Sequence, residues 1–245
     1  EADGGFSSGF SEGSDYGATV EVVLAAAAAG EDVSTWTSSE GASPLDYVAS
    51  QVAADAVTDA GPISKAVLVA VATGQDARSF GGQDLIAALQ GAQDTGTGMY
   101  GDTLFAHAYA MLALHNAGAP LSEDAVAVLT SQVTDDGGWA LFGETESGAT
   151  DTNTTALAMQ ALVAADRSEA AAEARAYLHE VQNEDGGFPY QNPSDWGTET
   201  DANSTAVVLQ ALRALGEPMS NWAPSDADPV DALSALWDES TGAYV

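Results

Sequence analysis

The sequence predicts an all-α fold of about six repeated helix pairs, set as an inner ring of helices inside an outer ring. Three observations lead there. A phrase recurs along the 245 residues: Gln132-Val-Thr-Asp-Asp-Gly137-Gly-Trp139 with Asp151-Thr-Asn-Thr-Thr-Ala-Leu-Ala-Met-Gln-Ala-Leu162, then Gln182-Asn-Glu-Asp-Gly186-Gly-Phe188 with Asp201-Ala-Asn-Ser-Thr-Ala-Val-Val-Leu-Gln-Ala-Leu212. Such self-similarity marks a repeat architecture. Runs with the period-two alternation of strands are absent, while Gly and Pro punctuate alanine-rich helical stretches. Finally, helices apolar on nearly every face, which must be surrounded, alternate with one-sided ones.

In chain order, Asp3-Gly-Gly-Phe6 opens a first copy, whose inner helix spans roughly 17–29 from Asp15 through Thr19 to Leu24. An outer helix follows at 44–54. Asp59-Ala-Gly-Pro62 starts the apolar helix at 62–73, typified by Ala66-Val-Leu-Val-Ala-Val-Ala72, and an outer helix covers 82–93. The third copy is Gln93 to Gly98-Met-Tyr100 with an inner helix at 103–116, where Ala108-Tyr-Ala-Met-Leu-Ala-Leu114 nearly repeats Ala156–Leu162. Ser122-Glu-Asp-Ala-Val-Ala-Val-Leu-Thr-Ser-Gln132 is the amphipathic partner at 122–132. Inner helices at 152–165 and 202–215 alternate with outer ones at 169–182 and 227–237, and Trp237 to Gly242-Ala-Tyr244 opens a phrase left unfinished. Thr152 and Ser204 can cap the inner helices, and Asp151 and Asp201 suit the positive end of the helix dipole. Small residues let the inner axes approach closely, which favours a closed ring, and residues 1–245 are expected to form one domain.

The Gln-x(3–4)-Gly-x-aromatic phrase resembles the repeat of the prenyltransferase and squalene oxidase superfamily, across essentially the whole chain. The resemblance implies an α/α toroid. Within that superfamily the loops look most like those of bacterial secreted or surface repeat proteins related to the helical domain of cobalamin carriers such as intrinsic factor and transcobalamin. A complete toroid has twelve helices, and ten are countable here. The helix before Asp3 and the one after Tyr244 are missing, so the ring is cut, open, or closed by another segment or chain.

Composition narrows the chemistry. The formal charge is −32, with 37 acidic residues against five basic ones, Lys65, Arg78, Arg167, Arg175 and Arg213. Nucleic-acid and anionic-membrane partners are excluded, because phosphate binding depends on basic side chains. Acidity of this kind keeps a protein soluble, also in a saline medium where self-repulsion is screened. With lysine poverty, it points to an extracellular or cell-surface protein. Apolar runs such as Val22 to Ala29 fall far short of the roughly 18 to 20 residues that span a bilayer. Glu1 follows no leader pattern and reads as a trimmed or cut edge.

Zero cysteines exclude disulfides and thiolate chemistry. The enzymes of the superfamily are poorly matched: no Asp-x-Asp-Asp acid motif occurs, Asp226-Ala-Asp228-Pro lacking the third acid, and the zinc and thioester sites of its other branches need cysteine. A glycan-cleaving toroid needs only two carboxylates, which Asp135, Asp136, Glu144, Glu146, Glu184, Asp185 and Asp195 could supply. Asp135-Asp136-Gly137 and Asn183-Glu184-Asp185-Gly186 offer oxygen ligands without calcium-loop spacing, and turn formation explains them.

Aligning the copies on Ala156 places Thr19, Lys65, His107, Thr155 and Thr205 at one register near the start of each inner helix. Lys65 enters an otherwise apolar helix and needs water or a carboxylate, with Glu21 as its natural partner. This level is either internal bracing or a polar ring that orients a ligand. Tyr100, Trp139, Phe142, Phe188, Tyr190, Trp196 and Tyr244 fall in the loops at one end of these helices. In the superfamily the repeat aromatic and glutamine brace neighbouring helices, which assigns Gln132, Trp139, Gln182 and Phe188 to structure. Phe142, Tyr190 and Trp196 lie past the motif and suit a ligand mouth. The expected ligand-binding set is Glu21, Lys65, Tyr100, His107, Phe142, Tyr190 and Trp196, with no catalytic residue and no metal.

The expected function is that of a non-catalytic secreted or surface toroid binding a bulky small molecule or a protein partner at its loop-rich end, a corrinoid being the ligand the resemblance implies. A glycan-active enzyme using two loop carboxylates is one alternative. The other is a structural subunit of a surface layer or filament.

Overall fold

The computed structural model describes residues 1–10 and 12–244. It is all-α: among the described residues, eleven α-helices are joined by 3-10 turns and loops, with a single two-residue β-hairpin. The chain divides into two compact units, residues 1–95 with 109–121, and residues 96–108 with 122–245.

In the first unit, α1 (Tyr16–Ala28) packs against α2 (Pro44–Ala53) and α3 (Ala60–Ala72), and α3 packs against α4 (Leu85–Gly91). Val20, Val23, Ala66, Val67, Val69 and Ala70 are fully buried, as helices apolar all round require. Pro44 at the first position of α2 and the Ser43–Asp46 capping box set its start. The helix expected at 82–93 is shortened. Phe80–Gly82 forms a 3-10 turn and Asp84 caps α4 through the Ala87 N–H, so the helix starts after the glycines.

The second unit begins with residues 96–108 and so takes in the start of α5 (Leu104–Asn116), whose remainder belongs to the first unit. Within it α7 (Thr152–Ala164) packs against α6 (Glu123–Ser131), α8 (Ser168–Glu173) and α10 (Ala202–Leu215), and α10 packs against α11 (Pro229–Ala235). Two departures from sequence stand out. The helix expected at 169–182 divides into α8 and α9 (Arg175–Val181), because Ala174, at ψ −7°, interrupts the hydrogen-bond ladder. The helix expected to reach 237 ends at Ala235, and β1 (Trp237–Asp238) pairs antiparallel with β2 (Ala243–Tyr244), the two aromatic rings meeting edge to face at 5.1 Å.

One hydrogen-bond pattern recurs in every aromatic copy that reaches its helix. The backbone N–H of the aromatic donates to the side chain at the shared register: Phe6 to Thr19 Oγ1 at 2.9 Å, Tyr100 to His107 Nδ1 at 3.0 Å, Trp139 to Thr155 Oγ1 at 2.9 Å and Phe188 to Thr205 Oγ1 at 3.0 Å. Where an aspartate caps the helix, its N–H returns to the aromatic carbonyl: Asp15 to Phe6, Asp151 to Trp139 and Asp201 to Phe188. These two bonds close each loop at both ends, whatever its length between. A third bond steps from copy to copy, Leu104 N–H to the Leu141 carbonyl at 2.9 Å and Thr152 N–H to the Tyr190 carbonyl at 2.8 Å, each carbonyl two residues past the next aromatic. Buried backbone donors must find acceptors, and the repeat supplies them at fixed positions.

The Gly-Gly before the aromatic has a division of labour. The first glycine holds φ of +89° at Gly4, +87° at Gly137 and +88° at Gly186, a region open to glycine and costly to L side chains. The second has no room for a Cβ, which would stand 2.6 Å from both Thr150 Cγ2 and Thr155 Oγ1 at Gly138, and 2.1 Å from Thr200 Cγ2 at Gly187.

Candidate functional site

In the first unit Lys65 and Glu21 form an ion pair, and the Lys65 ammonium lies 5.2 Å from the centroid of the Tyr109 ring. Glu21 is 57% exposed, so this pair is worth about 1 kcal/mol or less.

Tyr100 and His107 belong to the second unit and meet there, their rings 5.6 Å apart. His107 is fully buried. Its Nδ1 takes the Tyr100 N–H and its Nε2 meets the Ala125 carbonyl at 2.9 Å, which leaves neither ring nitrogen for a ligand. Burial holds its pKa below the usual 6.5, only partly offset by the bond to Ala125. The unfolded chain therefore takes up a proton at higher pH than the folded one, and stability should fall as pH drops below about 6.5. We expect His107→Thr, the residue that makes the same bond in three other copies, to flatten that slope in urea titrations between about pH 7 and 5.5. Equal slopes in both proteins would show that His107 is not its source.

The bracing assignments also find partners. Trp139 Nε1 donates to the Leu129 carbonyl at 2.8 Å, and Gln182 Nε2 donates to the carbonyls of Gly186 and Trp222 at 2.8 and 2.7 Å.

The remaining three residues lie in the loops of the second unit. Phe142 follows Trp139 and is 68% exposed. Tyr190 and Trp196 follow Phe188 and are 46% and 98% exposed. Burying such rings is favourable and leaving an indole in water is not, so this loop end carries unsatisfied apolar surface. Beside Trp196 lies a groove of about 330 Å³ walled by Gly148, Gln191, Pro193, Ser194 and Asp195. Gln191 Nε2 donates to the Gly148 carbonyl at 3.1 Å and so ties the two loops together.

Two aspartates give this end opposite electrostatic characters. Asp136 accepts from the Ser147 hydroxyl, the Gly148 N–H and the Thr150 hydroxyl at 2.5, 2.6 and 3.1 Å, and these bonds hold its carboxyl below the usual range. Asp185 likewise accepts from the Gly187 N–H and Thr200 hydroxyl. Both act as loop staples. Asp151 is only 3% exposed, and burial pushes its carboxyl up against the pull of the Thr154 backbone N–H and hydroxyl and of the backbone N–H groups of Asn153 and Leu141.

Asp151 itself caps α7, its Oδ1 accepting the Thr154 N–H at 2.7 Å, as Asp201 caps α10 through Ser204. The caps are thus the aspartates, and the Thr152 and Ser204 proposed for that role sit inside the helices. The first turn of α7 is also where sequence reasoning missed most. Asp151 Oδ2, Thr152 Oγ1, Asn153 Oδ1 and Thr154 Oγ1 are all buried, with the Thr154 hydroxyl beside the Asp151 carboxyl and Thr152 beside the Tyr177 phenol. Their counterparts Asp201 and Asn203 are exposed.

Among the described residues no group of three or more His, Cys, Asp or Glu could hold a metal, and no helix is long and apolar enough to cross a membrane. Comparison with protein-family models and with curated proteins finds no match to this chain.

Proposed function

We propose that the chain is a non-catalytic binding protein with the α/α-toroid plan, which takes a small molecule at the loop-bearing end of its second unit. The observation that carries this reading is the loop end of the second unit, where Phe142, Tyr190 and Trp196 stand exposed and a groove of about 330 Å³ lies beside Trp196. Pockets with few polar groups and aromatic walls are the usual form of a small-molecule site. The toroid plan draws support from the resemblance, from α1 against α3 and α7 against α10 as side-by-side apolar helices, and from the hydrogen bond that steps from one copy to the next. A setting outside the cell is read from the acidity and the scarcity of lysine.

The opposed aspartates favour a second reading, since carboxyls pushed apart in pKa are how glycan-cleaving sites divide their roles. Binding without turnover is preferred, because Asp136 already accepts three hydrogen bonds of the roughly four a carboxylate can take. Native mass spectrometry of the protein from its natural source, against its denatured mass, tests the binding reading. A retained small molecule on a monomer is expected. Bare protein in a defined oligomer would replace this reading with that of a structural subunit.

A further inference from the structure

We infer that the small molecule is an organic ammonium ion, held against the Trp196 indole between the carboxylates of Asp195 and Glu199; this rests on the binding reading above. Trp196 is 98% exposed, so its ring is open to an occupant. Its backbone is fixed all the same: the Trp196 N–H donates to Ser194 Oγ at 3.1 Å, and the bond from Gln191 to Gly148 anchors the start of the loop. Asp195, immediately before the indole, walls the groove with it. On the other side Gly197 holds φ of +115°, and a Cβ there would run into Glu199 Oε2. The missing side chain is what lets the Glu199 carboxylate fold back over the residue that follows Trp196. Asp136 accepts the Gly148 N–H at 2.6 Å, which sets a third carboxylate behind the Gly148 wall.

The chemistry of an occupant follows. Residues 133–151 and 183–201, which supply both loops, contain no Lys, Arg or His to neutralise these charges. Lys65, Arg78, Arg167 and Arg175 pair with Glu21, Asp84, Glu123 and Glu217, and Arg213 stands in the last turn of α10, the opposite end from this loop. An anion is repelled here, and a neutral ring leaves the carboxylates unanswered. A bare metal ion finds no group of three or more acidic or imidazole ligands among the described residues. An ammonium carried on carbon answers both features of the groove. Its charge is drawn to the carboxylates and to the face of the indole, and the ring covers its apolar carbons. A groove of about 330 Å³ has the volume of a small-molecule site.

Titration calorimetry at low ionic strength, where such attraction is least screened, tests this with two cations and their neutral counterparts: choline with dimethylbutanol, and n-butylammonium with n-butanol. At least one cation should bind, and its neutral counterpart should bind far more weakly. Trp196→Ala, and Asp195→Asn combined with Glu199→Gln, should each weaken binding about fivefold or more, and Trp196→Phe, which keeps a ring, should lose less than Trp196→Ala. All three side chains are exposed, so the variants should melt at the wild-type temperature. Silence from both cations, binding unchanged in either variant, or equal binding of the neutral counterparts overturns the inference. A neutral or anionic molecule retained on protein from the natural source would also overturn it while leaving the binding reading intact. Bare protein together with silent titrations would remove both.

Discussion

Gly138→Ala should cost about 3 kcal/mol of stability and prevent folding if the margin is small. The added Cβ meets Thr150 Cγ2 and Thr155 Oγ1 at 2.6 Å, and both side chains are buried with no space to retreat. Overpacking alone costs about 1–3 kcal/mol. Thr155 cannot move without releasing the Trp139 N–H, and a buried unsatisfied donor costs about 1–3 kcal/mol more. Gly91→Ala is the control, since its Cβ meets nothing within 4 Å and Gly91 ends a helix. That change should be neutral or mildly stabilising. Chemical denaturation of the two variants gives the comparison, and equal losses would deny the close approach at Gly138.

Thr155→Val should cost about 2 kcal/mol even though the two side chains have nearly the same shape. The change removes one oxygen, which accepts the Trp139 N–H at 2.9 Å inside the protein, and puts a methyl group in its place. The stranded amide is the main cost. Thr155→Ser keeps the acceptor and loses only a methyl group, about 1 kcal/mol, so valine should be the worse replacement. A packing role for Thr155 predicts the reverse order.

Much of this was legible in the sequence. The apolar helices at 17–29, 62–73, 103–116, 152–165 and 202–215 correspond to α1, α3, α5, α7 and α10 within a few residues, because an all-apolar helix bounded by Asp or Gly admits few alternatives. The shared register of Thr19, His107, Thr155 and Thr205 was also visible. Its partner was not: the loop runs from Phe6 to Asp15 in one copy and from Tyr100 to Thr103 in another, so nothing at constant spacing marks the aromatic amide as the donor. Lys65 departs from the pattern, having no aromatic loop before it, and turns to Glu21. The burial of the turn at Asp151 was hidden for a different reason. Asp151-Thr-Asn-Thr-Thr and Asp201-Ala-Asn-Ser-Thr are nearly one sequence, yet the first is buried and the second largely exposed through Asn203. Local sequence fixes the cap, and what packs over it fixes the burial.

The most direct test of the repeat's hydrogen-bond plan is native-state amide hydrogen exchange at Trp139 in the wild type, Thr155→Ser and Thr155→Val. The account predicts strong protection in the first two and a loss of protection at Trp139 in the third that exceeds its global loss of stability. Protection at Trp139 in Thr155→Val that tracks global unfolding alone, as in the wild type, would contradict it, since the amide would then have an acceptor other than the side chain at this register.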